Sequence, residues 1–244
     1  MEIRIDLTNK TVLEIGSGRG NTTRQLVALL AQYPNTRLVV TDASSQFFSE
    51  LQCEFEKTPV ELRFVCTDAC QLADIENNSV DLLVCNYTLC AINSNPGKAA
   101  LALRRFCEVL HPGGWISIEE EFPIHSAHTP LQEVWAEKWR ILKAATLLTG
   151  GAPYTEFSPE TLSRLCSLTG YKSITWEEDL AKYPPDALDF FYKRVLKLVP
   201  DLPNPSLRAG FQQWASELLA KAHRLGGMEI PYYRLVAWKP AADT

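Results

Sequence analysis

The hydrophobic positions in the first 122 residues fall into short apolar runs separated by longer amphipathic segments. The runs "TVLEI", "RLVVT", "ELRFVC" and "VDLLVCN" have the length and apolar content of buried strands. Between them, "NTTRQLVALLAQY" and "SSQFFSELQCEFEK" have the spacing of helices. We expect Asn21 to be the N-cap of the first helix and Ser44 or Ser45 to open the second. Strands alternating with helices predict right-handed crossovers and a mainly parallel sheet.

The second half of the chain is dominated by helical patterns. "KAALALRRFCEVL" is a helix that "HPGG" should stop, and the strand "WISIEEEF" follows at once. Four helical segments come next: "PLQEVWAEKWRILKAATLLTGG", "SPETLSRLCSLTG" with Ser158 as N-cap and Pro159 at N1, "PDALDFFYKRVLKLV" and "PSLRAGFQQWASELLAKAHRL". "YKSITWEE" and "IPYYRLVAWK" are predicted strands. Residues 123–157 and 179–228 are therefore predicted to be helical insertions between strands.

Composition narrows the class of protein. A chain of 244 residues with 46% apolar residues is long enough for one α/β domain with an elaboration. The net charge of −5 argues against a nucleic-acid or anionic-membrane partner. The first ten residues carry no apolar run typical of a signal peptide, and no segment is long enough to span a membrane. Seven scattered cysteines predict free thiols, so we expect a cytoplasmic protein, and the sequence does not indicate its oligomeric state.

A glycine-rich turn follows the first strand, in "VLEIGSGRG". Its glycines, Gly16, Gly18 and Gly20, do not have the G-x-G-x-x-G spacing of dinucleotide sites, since Asn21 stands where the third glycine belongs. Glu14 lies just upstream, where its carboxylate would repel a pyrophosphate and attract a cation. The pattern therefore favours an adenosine ligand with a positive charge and no phosphate, and S-adenosylmethionine has these properties.

Five motifs together resemble one known family. In chain order they are "VLEIGSGRG", "LVVTDAS", "VCTDACQL", "VDLLVCNYTLCAI" and "EVLHPGGWISIEE". On these motifs the chain resembles the class I (Rossmann-like) S-adenosylmethionine-dependent methyltransferases. The resemblance implies an α/β fold, with a Rossmann-like, seven-stranded, mostly parallel sheet and helices on both faces. Its last strand runs antiparallel between two others, and "IPYYRLVAWK" is the candidate for that strand.

The resemblance also implies a cofactor site at the carboxyl ends of the strands. Asp42 is placed to bind both ribose hydroxyls, and Asp68 faces the adenine amino group while Ala69 offers its N–H to the ring. Asn86 and Tyr87 lie beside the methionine portion. The implied cofactor-binding residues are Glu14, Gly16, Ser17, Gly18, Gly20, Asp42, Ala43, Asp68, Ala69 and Asn86.

Three of these carboxylates also have a purely structural interpretation. Asp68 is also placed to cap the short turn "ACQLAD", and Glu14 to hydrogen-bond to the backbone around the glycine turn. Asp42 could cap the following helix, although Ser44 and Ser45 already serve that end.

The acidic run "EEE" ends the fifth strand, where this family binds its acceptors. Alternation places Glu120 on the opposite side of the strand from Glu119 and Glu121. A carboxylate at the end of a buried strand should have a partner or a function, and His125 and His128, which follow, include a candidate general base. The three residues Glu121, His125 and His128 match no strong metal signature, so no metal is expected. The predicted catalytic residues are Glu121, His125 and Tyr87.

These observations predict a methyltransferase for a small, partly apolar O- or N-acceptor, with S-adenosyl-L-homocysteine as product. No Asn-Pro-Pro-Tyr pattern follows the fourth strand, which argues against a nucleic-acid base as acceptor. The predicted layout is a cofactor-binding core over 1–122, an insertion over 123–157, a core helix and strand over 158–178, a helical cap over 179–228, and a final strand and tail over 229–244. A non-catalytic relative that binds S-adenosylmethionine and an NAD(P)-dependent oxidoreductase are the alternatives.

Overall fold

The computed structural model describes residues 5–241. Residues 1–4 at the start of the predicted core, and residues 242–244 at the end of the predicted tail, lie outside the described part. The elements in chain order are β1 (Thr11–Ile15), α1 (Asn21–Leu30), β2 (Arg37–Asp42), α2 (Phe48–Glu54), β3 (Glu61–Cys66), β4 (Val80–Asn86), α3 (Leu89–Ile92), α4 (Lys98–Val109), β5 (Leu110–Glu121), α5 (Pro130–Leu148), α6 (Pro159–Leu168), β6 (Lys172–Tyr183), α7 (Leu188–Leu198), α8 (Pro205–Leu225) and β7 (Met228–Trp238).

The strands form a seven-stranded sheet in the order β3-β2-β1-β4-β5-β7-β6. The pairs β1–β2, β1–β4, β2–β3 and β4–β5 are parallel. Strand β7 runs against β5, because Gly113 N–H donates to the Lys239 carbonyl near one end and Phe122 N–H donates to the Pro231 carbonyl near the other. The order and directions confirm the predicted mostly parallel sheet, with its last strand antiparallel between two others.

The chain divides into two compact units. The first contains the described residues of Met1–Glu120, Pro159–Glu177 and Arg234–Thr244, and the second contains Glu121–Ser158 and Glu178–Tyr233. Helix α1 in the first unit buries Thr23, Leu26, Val27 and Leu30, the stripe expected of an amphipathic helix. The second unit has its own core, built from α5, α7 and α8 around the fully buried Trp135. The predicted position of the helical insertions over the cofactor site stays a prediction.

Local details differ from the predictions where loops form tight turns. Gly20, in a left-handed conformation, is the N-cap of α1, so the prediction of Asn21 as N-cap was wrong. Helix α2 begins at Phe48, after the predicted Ser44 or Ser45, because the Ser44 N–H is held by the Asp42 carboxylate in a turn. The segment "HPGG" belongs to β5 instead of separating helix from strand, since its glycines pair with Lys239 beside β7.

No helix between residues 5 and 241 has the length and hydrophobicity needed to cross a membrane. The seven cysteines are all free thiols, as the scattered spacing predicted.

Candidate functional site

The glycine turn after β1 is fixed to the ends of the neighbouring strands. The Thr41 carbonyl on β2 accepts hydrogen bonds from the N–H groups of Gly16, at 2.9 Å, and Ser17, at 3.0 Å. Gly16 has a φ of 76°, and a Cβ there would clash with the side chain of Thr88, which follows β4. Only glycine allows this close approach, so the turn is held at the carboxyl ends of β1, β2 and β4.

Gly18 forms the open part of the same turn. It has a φ of 49°, and nothing lies within 4 Å of the position that a Cβ would take. Its N–H donates to Asp42 Oδ2 at 2.9 Å. The left-handed backbone and the open space are what a close approach of a ligand to the backbone requires. Helix α1 begins three residues later with no side-chain cap and no acidic residue in its first turn, so its N-terminus favours a negative group.

Glu14 is buried beneath this turn. Its side chain is 1% exposed, and Oε2 accepts a hydrogen bond of 2.8 Å from the Thr23 hydroxyl on the buried face of α1. Its other oxygen, Oε1, and the buried Ser17 hydroxyl have no hydrogen-bond partner within residues 5–241. The pKa of Glu14 is raised from 4.5 to about 7, mainly by burial and in smaller part by the nearby charge of Asp42.

The unpartnered groups fit a cationic ligand. A buried carboxylate oxygen without a donor is unfavourable, and a bound ammonium or sulfonium would stabilise its charge. Glu14 and Ser17 therefore suit the positive portion of S-adenosylmethionine better than they suit a pyrophosphate.

Asp42 ends β2 and joins two turns. Its Oδ2 accepts the hydrogen bond from Gly18 N–H, and its Oδ1 accepts one of 2.9 Å from Ser44 N–H. It does not cap α2, whose N-cap is Phe47. The Asp42 side chain is half-buried and the next residue, Ala43, is exposed, so both adjoin solvent at this sheet edge. Each carboxylate oxygen keeps capacity for a further donor such as a ribose hydroxyl.

Asp68 follows β3 and holds the turn after it. Its Oδ1 accepts a hydrogen bond of 2.7 Å from Cys70 N–H, and its Oδ2 lies 3.5 Å from Lys98 Nζ. The hydrogen bond from Cys70 is the main reason that the pKa of Asp68 is lowered. The capping role therefore exists in the structure. The half-buried Ala69 lies in the same turn and makes no backbone hydrogen bond to any part of the chain that the structure describes.

Tyr87 follows the end of β4 in an unusual conformation. Its φ is 51°, a region that bulky residues rarely adopt. Its N–H donates to the Glu119 carbonyl at 2.7 Å, and its side chain is 44% exposed. The preceding Asn86 is half-buried, and its carbonyl accepts a 2.9 Å hydrogen bond from the Thr88 hydroxyl. Strained backbone at a strand end is typical of functional loops.

Glu120 lies beside the candidate site, and the sequence did not predict its role. It is 1% exposed, and its Oε1 accepts hydrogen bonds from the N–H groups of Leu89 at 2.7 Å and Cys90 at 3.2 Å. These N–H groups begin the short helix α3, next to the predicted methionine subsite. The alternation of the acidic run placed Glu120 on the opposite side of the strand from Glu119 and Glu121, but its partners lie 30 and 31 residues away in sequence and leave no local signal.

The second unit contains the other two predicted catalytic residues. Glu121 Oε2 accepts hydrogen bonds from the indole Nε1 atoms of Trp135, at 2.6 Å, and Trp139, at 2.5 Å. His125 is exposed in a short 3₁₀ turn. No group of three or more His, Cys, Asp or Glu side chains within residues 5–241 is arranged to hold a metal ion, so Glu121, His125 and His128 do not come together as one.

A cavity of about 530 Å³ lies within the second unit. Its walls combine apolar and polar side chains from the segment after β5, the end of β6 and the start of β7. The residues that give it this character are Phe122, His128, Gln132, Glu178, Asp179 and Pro231. Asp179 is fixed there by a 3.1 Å hydrogen bond from the Tyr232 hydroxyl.

Comparison with solved structures shows what the fold is similar to. Phosphoethanolamine N-methyltransferase 2 of Haemonchus contortus, bound to phosphomonomethylethanolamine and S-adenosylhomocysteine, matches with a TM-score of 0.59 and 17% identity, covering 98% of this chain and 50% of that one. A methyltransferase of Methanosarcina mazei matches with a TM-score of 0.57 and 15% identity, and the match covers 97% of this chain and 95% of that one. An arsenic(III) methyltransferase of Chlamydomonas reinhardtii matches with a TM-score of 0.54 and 16% identity, and the match covers 98% of this chain and 66% of that one.

These similarities are of fold, and the chain spans half the length of the Haemonchus enzyme. A search of curated protein sequences finds no match. A family model described as a methyltransferase domain matches residues 12–114, which include the glycine turn, Asp42, Asp68 and the end of β4. Residues 12–114 thus match a methyltransferase domain, and the chain has the Rossmann-like fold of the similar solved structures.

Proposed function

We propose that this chain transfers the methyl group of S-adenosyl-L-methionine, the cofactor of this family, to a small, partly apolar oxygen or nitrogen acceptor. The observation that carries the proposal is the buried Glu14 carboxylate, which has one unpartnered oxygen beneath the open turn at Gly18. An uncharged or anionic adenosine ligand would leave this charge unbalanced. The sulfonium and ammonium of S-adenosylmethionine balance it.

Each predicted site residue then has a physical role. Glu14 and Ser17 bind the positive portion of the cofactor, and Asp42 binds the ribose hydroxyls with oxygens already aligned by two N–H donors. Ala69 donates its N–H to the adenine ring, with Asp68 beside it. Asn86 and Tyr87 adjoin the methionine portion. When bound, S-adenosylmethionine supplies an electrophilic methyl group, and the protein's contribution is to align the acceptor and exclude water.

Replacing Asp42 with Ala should weaken binding of S-adenosylhomocysteine by about 10–150-fold, because a charged hydrogen bond of roughly 1.5–3 kcal/mol is lost. The dissociation constant measured by titration calorimetry tests this. Asp6, an exposed carboxylate that also accepts a backbone N–H, provides the matched control through Asp6→Ala, which should leave binding unchanged. An unchanged constant for folded Asp42→Ala would place the ribose elsewhere.

The cavity of the second unit supports a small acceptor. Its volume of about 530 Å³ is within the roughly 300–1,000 Å³ typical of small-molecule sites. Phe122 and Pro231 supply apolar surface, and Glu178, Asp179 and His128 supply polar contacts. Two of the structurally similar enzymes have small acceptors or products in their descriptions, phosphomonomethylethanolamine and arsenic(III).

The cysteines favour an oxygen or nitrogen acceptor over arsenic(III). Binding of arsenic by cysteine requires accessible thiolates. Burial raises the pKa of Cys166 to about 12 and the pKa of Cys85 well above its usual value. Cys66 is exposed, and its thiol donates to the Ala43 carbonyl at 3.6 Å.

If the reaction uses a general base, we expect His125 to supply it and Glu121 to act as an anchor for α5. The indole N–H groups of Trp135 and Trp139 both donate to Glu121 Oε2 and tie its carboxylate to α5. His125→Ala should therefore lower kcat by about 10²–10⁴-fold for a hydroxyl acceptor, whereas Glu121→Gln should mainly lower the melting temperature. Wild-type turnover by both variants would exclude both residues as the base.

Turnover tests the proposed function against its alternatives. The full chain is incubated with methyl-labelled S-adenosylmethionine and a pool of small metabolites, and transfer of label to an extractable product is expected. Binding of the cofactor without transfer to any small molecule would favour a non-catalytic relative. Hydride transfer with NAD(P) would support an oxidoreductase.

A further inference from the structure

Lys138 on α5 is a buried cation with no direct partner. Its side chain is 8% exposed, and it makes neither a hydrogen bond nor an ion pair with any residue in 5–241. Its Nζ lies 4.7 Å from the centre of the Trp139 ring, which is its one specific contact in that range. A buried ammonium without an acceptor is unfavourable unless something else balances it.

The charges around Lys138 leave an excess of positive charge. Glu156 is engaged by Lys143 at 2.5 Å, and Glu121 is engaged by two indole N–H groups. Arg194 on α7 is close enough to oppose the charge of Lys138, while both carboxylates favour it. Both carboxylates that favour the charge of Lys138 are thus already engaged by other donors. Burial, the largest effect, lowers the pKa of Lys138.

A small cavity adjoins this cluster. It has a volume of about 60 Å³, enough for a carboxylate or phosphate group, and it lies between α5, the segment before α6 and α7. Trp139, on whose ring Lys138 lies, forms one wall, and Lys143, Tyr154 and Arg194 contribute to the others. The Arg194 guanidinium stacks over the Tyr154 ring at 5.6 Å, which leaves its N–H donors available within the described structure.

We propose that Lys138, Arg194 and Tyr154 form a binding site for a small oxyanion group, either a carboxylate or a phosphate. The anion balances the buried charge of Lys138 and accepts hydrogen bonds from the guanidinium and the phenol. Arg and Lys are the side chains best suited to such groups, and partial burial strengthens their charged hydrogen bonds. The site lies wholly in the second unit and does not depend on the proposed methyl transfer.

The test is a thermal melt of the full chain in sodium phosphate and in sodium acetate, each compared with sodium chloride at equal ionic strength. Binding to the native state should raise the melting temperature of the wild type by about 2–5 °C at saturating anion. A shift with phosphate assigns a phosphoryl ligand, and a shift with acetate assigns a carboxylate. The absence of both shifts overturns the proposal.

Three variants separate specific binding from general salt effects, which stabilise all variants alike. Lys138→Met should abolish the shift and raise the melting temperature in chloride, because an unbalanced charge is removed. Arg194→Gln, at an exposed position, should reduce the shift without affecting folding. Lys193→Met, an exposed neighbour on α7, should leave the shift intact. An equal anion shift in the wild type, Lys138→Met and Arg194→Gln would contradict the site.

Discussion

Replacing Glu14 with Gln should stabilise the free protein at about pH 8 and weaken cofactor binding at the same pH. The pKa of Glu14 is raised from 4.5 to about 7 by burial, so the folded state holds its proton over a range in which the unfolded chain has released it. The contribution of Glu14 to the free energy of unfolding is therefore fully present below pH 4.5. It is lost as the pH rises to about 7, by up to about 3 kcal/mol. Gln does not ionise and removes this loss.

Urea unfolding of wild type and Glu14→Gln at about pH 5 and pH 8 measures the effect. Glu14→Gln should be more stable than the wild type only at the higher pH. The control Glu56→Gln, at an exposed position, should differ from the wild type by the same amount at both pH values. Binding of S-adenosylmethionine at pH 8 should fall by about 10-fold or more in Glu14→Gln. A variant that binds as tightly as the wild type would show that Glu14 does not face the cofactor's positive charge.

Replacing Glu120 with Ala should lower the free energy of unfolding by about 3 kcal/mol. The change removes a buried carboxylate oxygen that accepts from both Leu89 and Cys90, and it leaves those two N–H groups without an acceptor. Since Thr88, the N-cap of α3, contacts Gly16, cofactor binding should weaken as well.

Glu120→Gln is the matched variant, because its side-chain carbonyl can still accept from both N–H groups. It should recover much of the stability and binding that Glu120→Ala loses. Equal stability of Glu120→Ala and the wild type in urea unfolding would mean that the hydrogen bonds to α3 contribute little.

The centre of the sheet was predictable because its strands are buried. The apolar runs "TVLEI" and "VDLLVCN" coincide with β1 and β4, since a parallel strand covered on both sides must be apolar along its length. The run "ELRFVC" coincides with the edge strand β3, whose side chains alternate between exposed and more buried positions. Helix α8 begins and ends at the residues that its pattern indicated, with Pro205 at its start. The start of α2 was wrong because the Asp42 turn takes up the residues that resemble a cap.

The site was only partly predictable because its contacts join distant segments. The glycine turn and the carboxylates at strand ends are local signals, so the sequence predicts Gly18 and Asp42 as site residues. The role of Glu120 depends on a segment 30 and 31 residues away. Lys138 resembles any surface lysine of an amphipathic helix, and only packing within the second unit shows that it is buried.

The most direct test of the central claim is titration calorimetry of the full chain with S-adenosylhomocysteine and, separately, with NADH. The buried Glu14 and the glycine spacing predict saturable one-site binding of S-adenosylhomocysteine and no heat of binding with NADH. Binding of NADH without binding of S-adenosylhomocysteine would contradict the assignment of this cofactor site.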